Sequence, residues 1–308
     1  MPRGRRVSPK PEAEPGSAVP GLVRSLRPHQ WTKNVFVFGA LVFSQHLFER
    51  RSLLLALLAF VVFCAVSSSI YLTNDIMDRE QDRLHPHKRR RLIASGQVPV
   101  GLAAATAVAL FALGVALSGA LGPRFLAVVL IYAALSYAYC FGLKRIVIID
   151  VMVLASGYAL RAVGGAVAIQ VDFSNWLLLC TSLLALFLGF CKRRQELTSL
   201  LEGAVAHRAV LARYTVSFLD QMIAVVTAAT LISYIFYALS DQVAARLGTR
   251  RLGFTIPFVL YGIFRYFYLV HVRGEGGRPA REVLADTPLL VNVMLYGVAV
   301  VLILYWFP

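Results

Sequence analysis

Tyr71-Leu72-Thr73-Asn74-Asp75-Ile76-Met77-Asp78-Arg79-Glu80-Gln81-Asp82 closes an apolar run that starts near residue 52 and is long enough to cross a lipid bilayer. On a helix of 3.6 residues per turn, Asp75, Asp78 and Asp82 fall on one face, Asn74 lies at its edge, and Glu80 points the other way. Carboxylates gathered at the end of a membrane helix are costly unless something cationic compensates them. Mg²⁺ suits the place, because it takes oxygen ligands and is commonly held by one or two carboxylates together with substrate phosphates. The plainer reading of the same residues is a solvated helix end.

Composition sets the surroundings. The chain has 308 residues, 58% hydrophobic and 15% charged, against roughly 45–50% apolar and 25% charged in soluble domains. This is the composition of an all-α, polytopic membrane protein. The net charge of +15 does not indicate nucleic acid, because the basic residues cluster between apolar spans, as cytoplasmic membrane loops do. Cys64, Cys140, Cys180 and Cys191 lie in apolar segments without metal-ligand spacing and read as small core residues.

Residues 1–21 are rich in Pro, Arg and Glu, hold no signal-peptide run, and read as a disordered basic tail. Residues 22–308 form the transmembrane domain, with Trp31 suited to the interface. Lys33 and Asn34, at the mouth of the first span, either anchor the chain or reach an anionic ligand. Nine spans are expected, at 34–49, 52–74, 99–120, 123–142, 146–169, 174–191, 216–239, 252–271 and 287–307, the sixth running on past Lys192. Lys and Arg are concentrated on the side of the amino terminus, which puts that terminus in the cytoplasm. The aspartate cluster, the basic run Lys88-Arg89-Arg90-Arg91, the stretch Lys192 to Glu196, and Glu282 with Asp286 then share the cytoplasmic face.

Within the basic run, Lys88 and Arg90 are candidates for an anionic substrate, the remainder for lipid headgroups or water. His85 and His87, split by Pro86 among cations, read as loop rather than metal ligands. Asp150 and Arg161 are ionisable groups flanking or inside the fifth span, too far apart along it to pair with each other. Arg161 binds a phosphate or meets a partner on another helix. Tyr71 and Tyr158 line the bundle or hydrogen-bond a sugar. Glu282 and Asp286 precede the ninth span, and capping is the reading for Asp286, with Pro288 just behind it.

The pattern Asn-Asp-x-x-Asp-x-x-x-Asp at 74–82, the basic loop after it and seven further spans resemble the UbiA superfamily of intramembrane prenyltransferases. The resemblance runs from about Leu26 onward. Arg27-Pro28-His29-Gln30-Trp31-Thr32-Lys33-Asn34 and the block from Asn74 to Gly96 are most similar to its branch that moves phosphoribose onto decaprenyl phosphate. Leu92 stands where that pattern has Pro.

The resemblance implies a nine-helix UbiA-like bundle in the bacterial inner membrane with a cytoplasmic active site. It implies phosphoribosyl diphosphate as donor, a polyprenyl (decaprenyl) phosphate as acceptor, Mg²⁺ on Asp75, Asp78 and Asp82, and a product for arabinan and cell-wall synthesis. Asn74 belongs to the same motif. A homo-oligomer, such as a trimer, is an expectation of the same kind, as is contact with membrane lipids.

One departure bears on chemistry. Prenyltransferases of the superfamily carry a second aspartate-rich loop between helices six and seven, whereas this chain has Lys192-Arg193-Arg194-Gln195-Glu196. Lys192, Arg193 and Glu196 share a helical face, which suits a bare phosphate, or else forms an interfacial basic helix end. An aromatic prenyltransferase is the alternative reading, and it lacks its second acidic motif here. A lipid-phosphate transporter gives no reason for three aligned carboxylates.

Overall fold

The computed structural model describes residues 18–84, 88–172, 175–201, 209–277 and 279–307. Residues 1–17 of the expected tail, and His85 and His87, lie outside the described residues, while 18–21 belong to the first helix. The α-helices are α1 (Ala18–Ser25), α2 (Gly39–Phe43), α3 (Arg50–Met77), α4 (Arg79–Leu84), α5 (Val100–Ala120), α6 (Pro123–Phe141), α7 (Ile149–Ala168), α8 (Asn175–Leu201), α9 (Val216–Leu239), α10 (Asp241–Leu247), α11 (Ile256–His271), α12 (Pro279–Ala285) and α13 (Thr287–Tyr305). Eight of them, α3, α5 to α9, α11 and α13, are long and apolar enough to cross a membrane. As expected, α8 runs through the basic stretch to Leu201.

α3 is the central helix. Val62, Phe63 and Val66 are wholly buried, and Ser67, Ser68 and Ser69 nearly so. Lipid is as apolar as leucine, so membrane helices associate through small residues that permit close approach and through hydrogen bonds between helices. Both devices join α3 to α5. A Cβ on Gly114 would lie 2.5 Å from Val66 Cγ2, and the Ser69 hydroxyl donates to the Ala107 carbonyl at 2.7 Å.

The segment expected to be the first span differs from that expectation. Pro28–Phe38 is a 3₁₀ helix, followed by the five residues of α2. Thr32, Val35, Val37 and three aromatic residues make it a poor α-helix former. Asn34, Val37 and Ala40 are buried at intervals of three, the period at which 3₁₀ side chains eclipse. This row lies along α7. A Cβ on Gly165 would come within 1.9 Å of the Val37 carbonyl oxygen, and one turn earlier Arg161 meets Asn34. The two segments therefore run in the same direction. At the other end of the bundle, the Tyr305 hydroxyl accepts from the Leu47 amide at 3.0 Å and donates to the Val42 carbonyl at 3.1 Å. The residues from Arg27 to Leu47 thus pass from one end of α3 to the other.

Gly165→Ala pushes its methyl into the Val37 carbonyl, an overpacking that costs about 1–3 kcal/mol and lowers the melting temperature in detergent. Gly297→Ala, where an added Cβ meets nothing within 4 Å, leaves it unchanged or slightly raised. Thermal unfolding of the two variants followed by circular dichroism checks the contrast.

Candidate active site

α3 ends at Met77, Asp78 caps it at φ −84° and ψ 3°, and α4 restarts at Arg79. Across that break Asp75 and Asp82 meet at one arginine, and Asp78 turns to a lysine. Asp75 is buried and accepts from Arg27 Nη2 at 2.6 and 2.9 Å and from Arg91 Nη1 at 2.9 Å. The same Arg91 nitrogen reaches buried Asp82 at 2.7 Å. Asp78 turns to Lys144 Nζ, at 2.9 and 3.2 Å, and accepts from Asn74 Nδ2 at 3.1 Å. Burial pushes the Asp82 carboxyl up, and Arg91 and Lys88 oppose the shift.

Of the three carboxylates expected to aim at one place, Asp75 and Asp82 converge on Arg91 Nη1, and Asp78 differs in turning to Lys144. Among the described residues no group of three or more His, Cys, Asp or Glu is placed to hold a metal ion. The donors are hard oxygens in ones and twos, which suits Mg²⁺ completed by the phosphates of a substrate and not a cage built from protein alone. Arg79 adds a second sign of an anionic guest: its Nε is buried with no hydrogen-bond partner.

Local sequence explains how the cations arrive. Arg27 precedes Pro28, which disfavours the right-handed helical region for it, and it sits left-handed at φ 57° and ψ 58°. Its guanidinium lies over the Tyr71 ring, 5.3 Å from the centroid. Arg91 is delivered by the basic loop, whose Ile93 and Val98 are buried with Leu72, Ala103 and Ala107. Leu92 packs on that same cluster and accepts from the Val98 amide at 3.0 Å. Arg89 and Arg90 are exposed and Lys88 half-buried.

Deeper in the bundle lies a second polar group. Arg161 is 5% exposed. It donates to Asn34 Oδ1 at 2.6 Å, to the Gly157 carbonyl at 2.7 Å and to the Tyr132 hydroxyl at 2.7 Å. The Tyr158 ring centroid lies 5.7 Å from the guanidinium. All these partners are neutral, and among the described residues Arg161 has no ion pair. Asn34 is fully buried, its carboxamide also reaching Cys64 Sγ at 3.1 Å, so it belongs to this interior group and not to the surface mouth. Lys33 is half-buried.

A third group joins α7 to α8. Arg193 and Asp150 are fully buried and paired at 2.5 Å, and Arg193 also donates to Glu196 at 2.7 Å and to the Tyr139 hydroxyl at 3.2 Å. The guanidinium expected to meet a phosphate is committed to protein partners, because an unpaired charge at this depth is prohibitively costly. Lys192, 4.0 Å from Glu196, is half-buried. The Tyr214 hydroxyl donates to Asp150 at 2.7 Å and accepts from the Ile148 amide at 2.7 Å. Burial and the adjacent carboxylate push that hydroxyl up, which keeps it protonated.

The turn between α6 and α7 links this group to the first, since Lys144 and Ile148 both lie in it. Glu282 accepts from Tyr266 and from the Gly276 amide, each at 2.8 Å. Asp286 caps α13 by accepting from the Leu289 amide at 3.0 Å, as expected, and also pairs with Arg265.

The structure thus gathers Tyr71, Asn74, Asp75, Asp78 and Asp82 at one end of α3. It adds Arg27, Arg91 and Lys144, which the sequence reading does not single out. The only local signal was the Arg-Pro step for Arg27; the other two are single members of basic clusters.

Residues 34–280 match the model of the UbiA prenyltransferase family. The decaprenyl-phosphate phosphoribosyltransferase of Corynebacterium glutamicum is 35% identical over 304 residues, covering 97% of this chain and 91% of that protein. Its counterpart from Mycobacterium tuberculosis is 35% identical over 280 residues, 89% of this chain and 91% of that one. In fold, the chain is similar to a UbiA homolog from Archaeoglobus fulgidus solved bound to GPP and Mg²⁺, with a TM-score of 0.69, 19% identity, and 91% and 99% of the two chains covered.

Removing one partner of a buried ion pair strands the other. Asp150→Ala costs about 3–5 kcal/mol and reduces the yield of monodisperse protein in detergent, and the double variant Asp150→Ala/Arg193→Leu recovers part of the loss. Size-exclusion profiles and melting curves of the single and double variants measure it.

Proposed function

From the premise that this chain belongs to the UbiA prenyltransferase family, we propose that it transfers 5-phosphoribose from phosphoribosyl diphosphate to a polyprenyl phosphate, decaprenyl phosphate in the first instance, and releases diphosphate. The observation that carries this reading is 35% identity to a decaprenyl-phosphate phosphoribosyltransferase across 97% of the chain. The site chemistry agrees with it. Carboxylates at the end of α3 are interleaved with cations, which suits a metal–diphosphate group rather than a neutral substrate.

In this reading Asp75 and Asp78, with Asp82 behind them, would hold Mg²⁺, and Asn74 orients Asp78. The metal would supply positive charge against that building on the leaving diphosphate. Lys33, Lys88, Arg90 and Lys192 supply further cations around the donor's phosphates. Glu196 and Glu282 face its sugar hydroxyls, and Arg193 positions Glu196.

The acceptor enters from the lipid side. Arg161, a buried cation with neutral partners, receives its phosphate, with Tyr71 and Tyr158 beside it. One acceptor phosphate oxygen forms a bond to C1 of the ribose as the bond from C1 to the diphosphate oxygen breaks. The phosphate is already ionised at neutral pH, so no general base is required and the protein's contribution is orientation and electrostatics. Attack from the face opposite the α-diphosphate yields the β-linked phosphoribosyl lipid, a precursor class for cell-wall arabinan.

Residues 22–308 are one transmembrane catalytic domain with nine crossings, the first being the 3₁₀ segment with α2. The amino terminus and the acidic end of α3 face the cytoplasm across the bacterial inner membrane, and the chain assembles as a homo-oligomer. The excess of Lys and Arg at that end supports this orientation.

Purified protein with Mg²⁺, polyprenyl phosphate and labelled phosphoribosyl diphosphate moves label into the organic phase. Label that stays aqueous, while labelled geranyl diphosphate reacts with an aromatic acid, sinks the proposal. Asp75→Ala and Asp78→Ala each reduce turnover by about a hundredfold or more with folded protein retained, whereas Arg89→Ala only weakens it. Arg161→Gln raises KM for the lipid phosphate far more than KM for the donor.

A further inference from the structure

The cations around Asp75, Asp78 and Asp82 have a consequence for the order of binding. Three carboxylates are matched by Arg27, Arg91 and Lys144, at 2.6, 2.9, 2.7 and 2.9 Å across the four ion pairs. Each of the three carboxylates is thus paired. Arg91 uses one nitrogen to bridge Asp75 and Asp82. Arg27 is held on Asp75 from a left-handed backbone conformation, which a non-glycine residue adopts at a cost and keeps only where its surroundings enforce it.

Resting on the reading above, we infer that Arg27 and Arg91 are internal counter-ions. They occupy the acidic site in the empty enzyme and pass to the donor's diphosphate, so that metal and diphosphate load together and metal does not load first. A divalent ion alone adds two positive charges to carboxylates that are already paired and must displace guanidinium groups that then have no anion to bind. A metal–diphosphate unit brings its own anion: the carboxylates turn to the metal while the freed guanidiniums take phosphate oxygens in the forked geometry they favour. Both arginine side chains are placed for such a move. They are 23% and 29% exposed, against 7% and 3% for the Asp75 and Asp82 side chains they cover. Asp78, 25% exposed and held by Lys144, remains the more accessible acid. The device excludes stray divalent cations from an idle site and prevents a metal-loaded, donor-free state.

Because the two ligands are linked, each strengthens the other by the same factor. The probe is Mn²⁺, whose free-ion paramagnetic resonance signal falls on binding, titrated at pH 8 into full-length protein in detergent with and without phosphoribosyl diphosphate. Wild type binds Mn²⁺ about tenfold or more weakly without the donor than with it. Arg91→Gln and Arg27→Gln each bind Mn²⁺ alone about tenfold more tightly than wild type and narrow that gap, while Arg51→Gln, altered at an exposed position at the opposite end of α3, behaves as wild type.

Equal Mn²⁺ affinity in wild type and both arginine variants overturns the inference, as does a wild-type affinity indifferent to the donor that it demonstrably binds. If one variant does not fold, the other and the wild-type comparison decide. Labelled phosphoribosyl diphosphate that is never retained, with or without metal, refutes the proposed donor instead, and the metal-only titrations of the variants still test the counter-ion role.

Discussion

Charge cannot be left uncompensated inside a helical bundle that sits in lipid, and the arrangement of this protein follows from how each buried ion is answered. Asp75 and Asp82 are answered by arginines from the amino-terminal segment and the basic loop, Asp78 by the turn after α6, and Asp150 by α8. Each pair fastens a different element to the same end of the molecule. Ion pairs of this kind contribute little net stability against an apolar substitute, but they fix which side chains face one another. Arg161 is the exception, a deep cation answered only by dipoles and aromatic faces. That imbalance is what supports the proposal that it receives the acceptor's phosphate.

Packing supplies the framework on which those charges are placed. Gly165 lets the 3₁₀ segment lie directly against α7, and the same contact sets Asn34 against Arg161 and leaves Arg27 beside Asp75. A regular α-helix through residues 28–43 would rotate successive side chains by about 100° instead of about 120°. The single buried row of Asn34, Val37 and Ala40 would then be lost. The irregular first segment is therefore part of the site's construction.

The chain shares its fold with structures that bind prenyl diphosphates, while its similarity in sequence lies with phosphoribosyltransferases. The difference has a physical form in the stretch Lys192 to Glu196, where an arginine sealed against Asp150 and a glutamate beside it stand in place of a second acidic, metal-holding loop. In the proposed function, an acidic end with a cation-rich surround suits a donor with a second phosphate on its sugar better than a prenyl diphosphate, whose far end is hydrocarbon.

The sequence by itself determined the membrane setting, eight of the expected spans, the continuation of α8, the Asp286 cap and the acidic end of α3, because each is written in local composition or in a period of a few residues. Tertiary structure decided which cation meets which carboxylate. Arg27 and Asp75 are 48 residues apart, Lys144 and Asp78 66, Asp150 and Arg193 43, and Asn34 and Arg161 127. No periodicity spans such distances. A basic cluster announces charge without saying which member turns inward; packing made that choice, seating Leu92 and Ile93 so that Arg91 reaches the acids. Likewise the residues of 28–38 argue locally only against a regular α-helix, and the 3₁₀ course rests on the seat that Gly165, more than a hundred residues along the chain, provides for it.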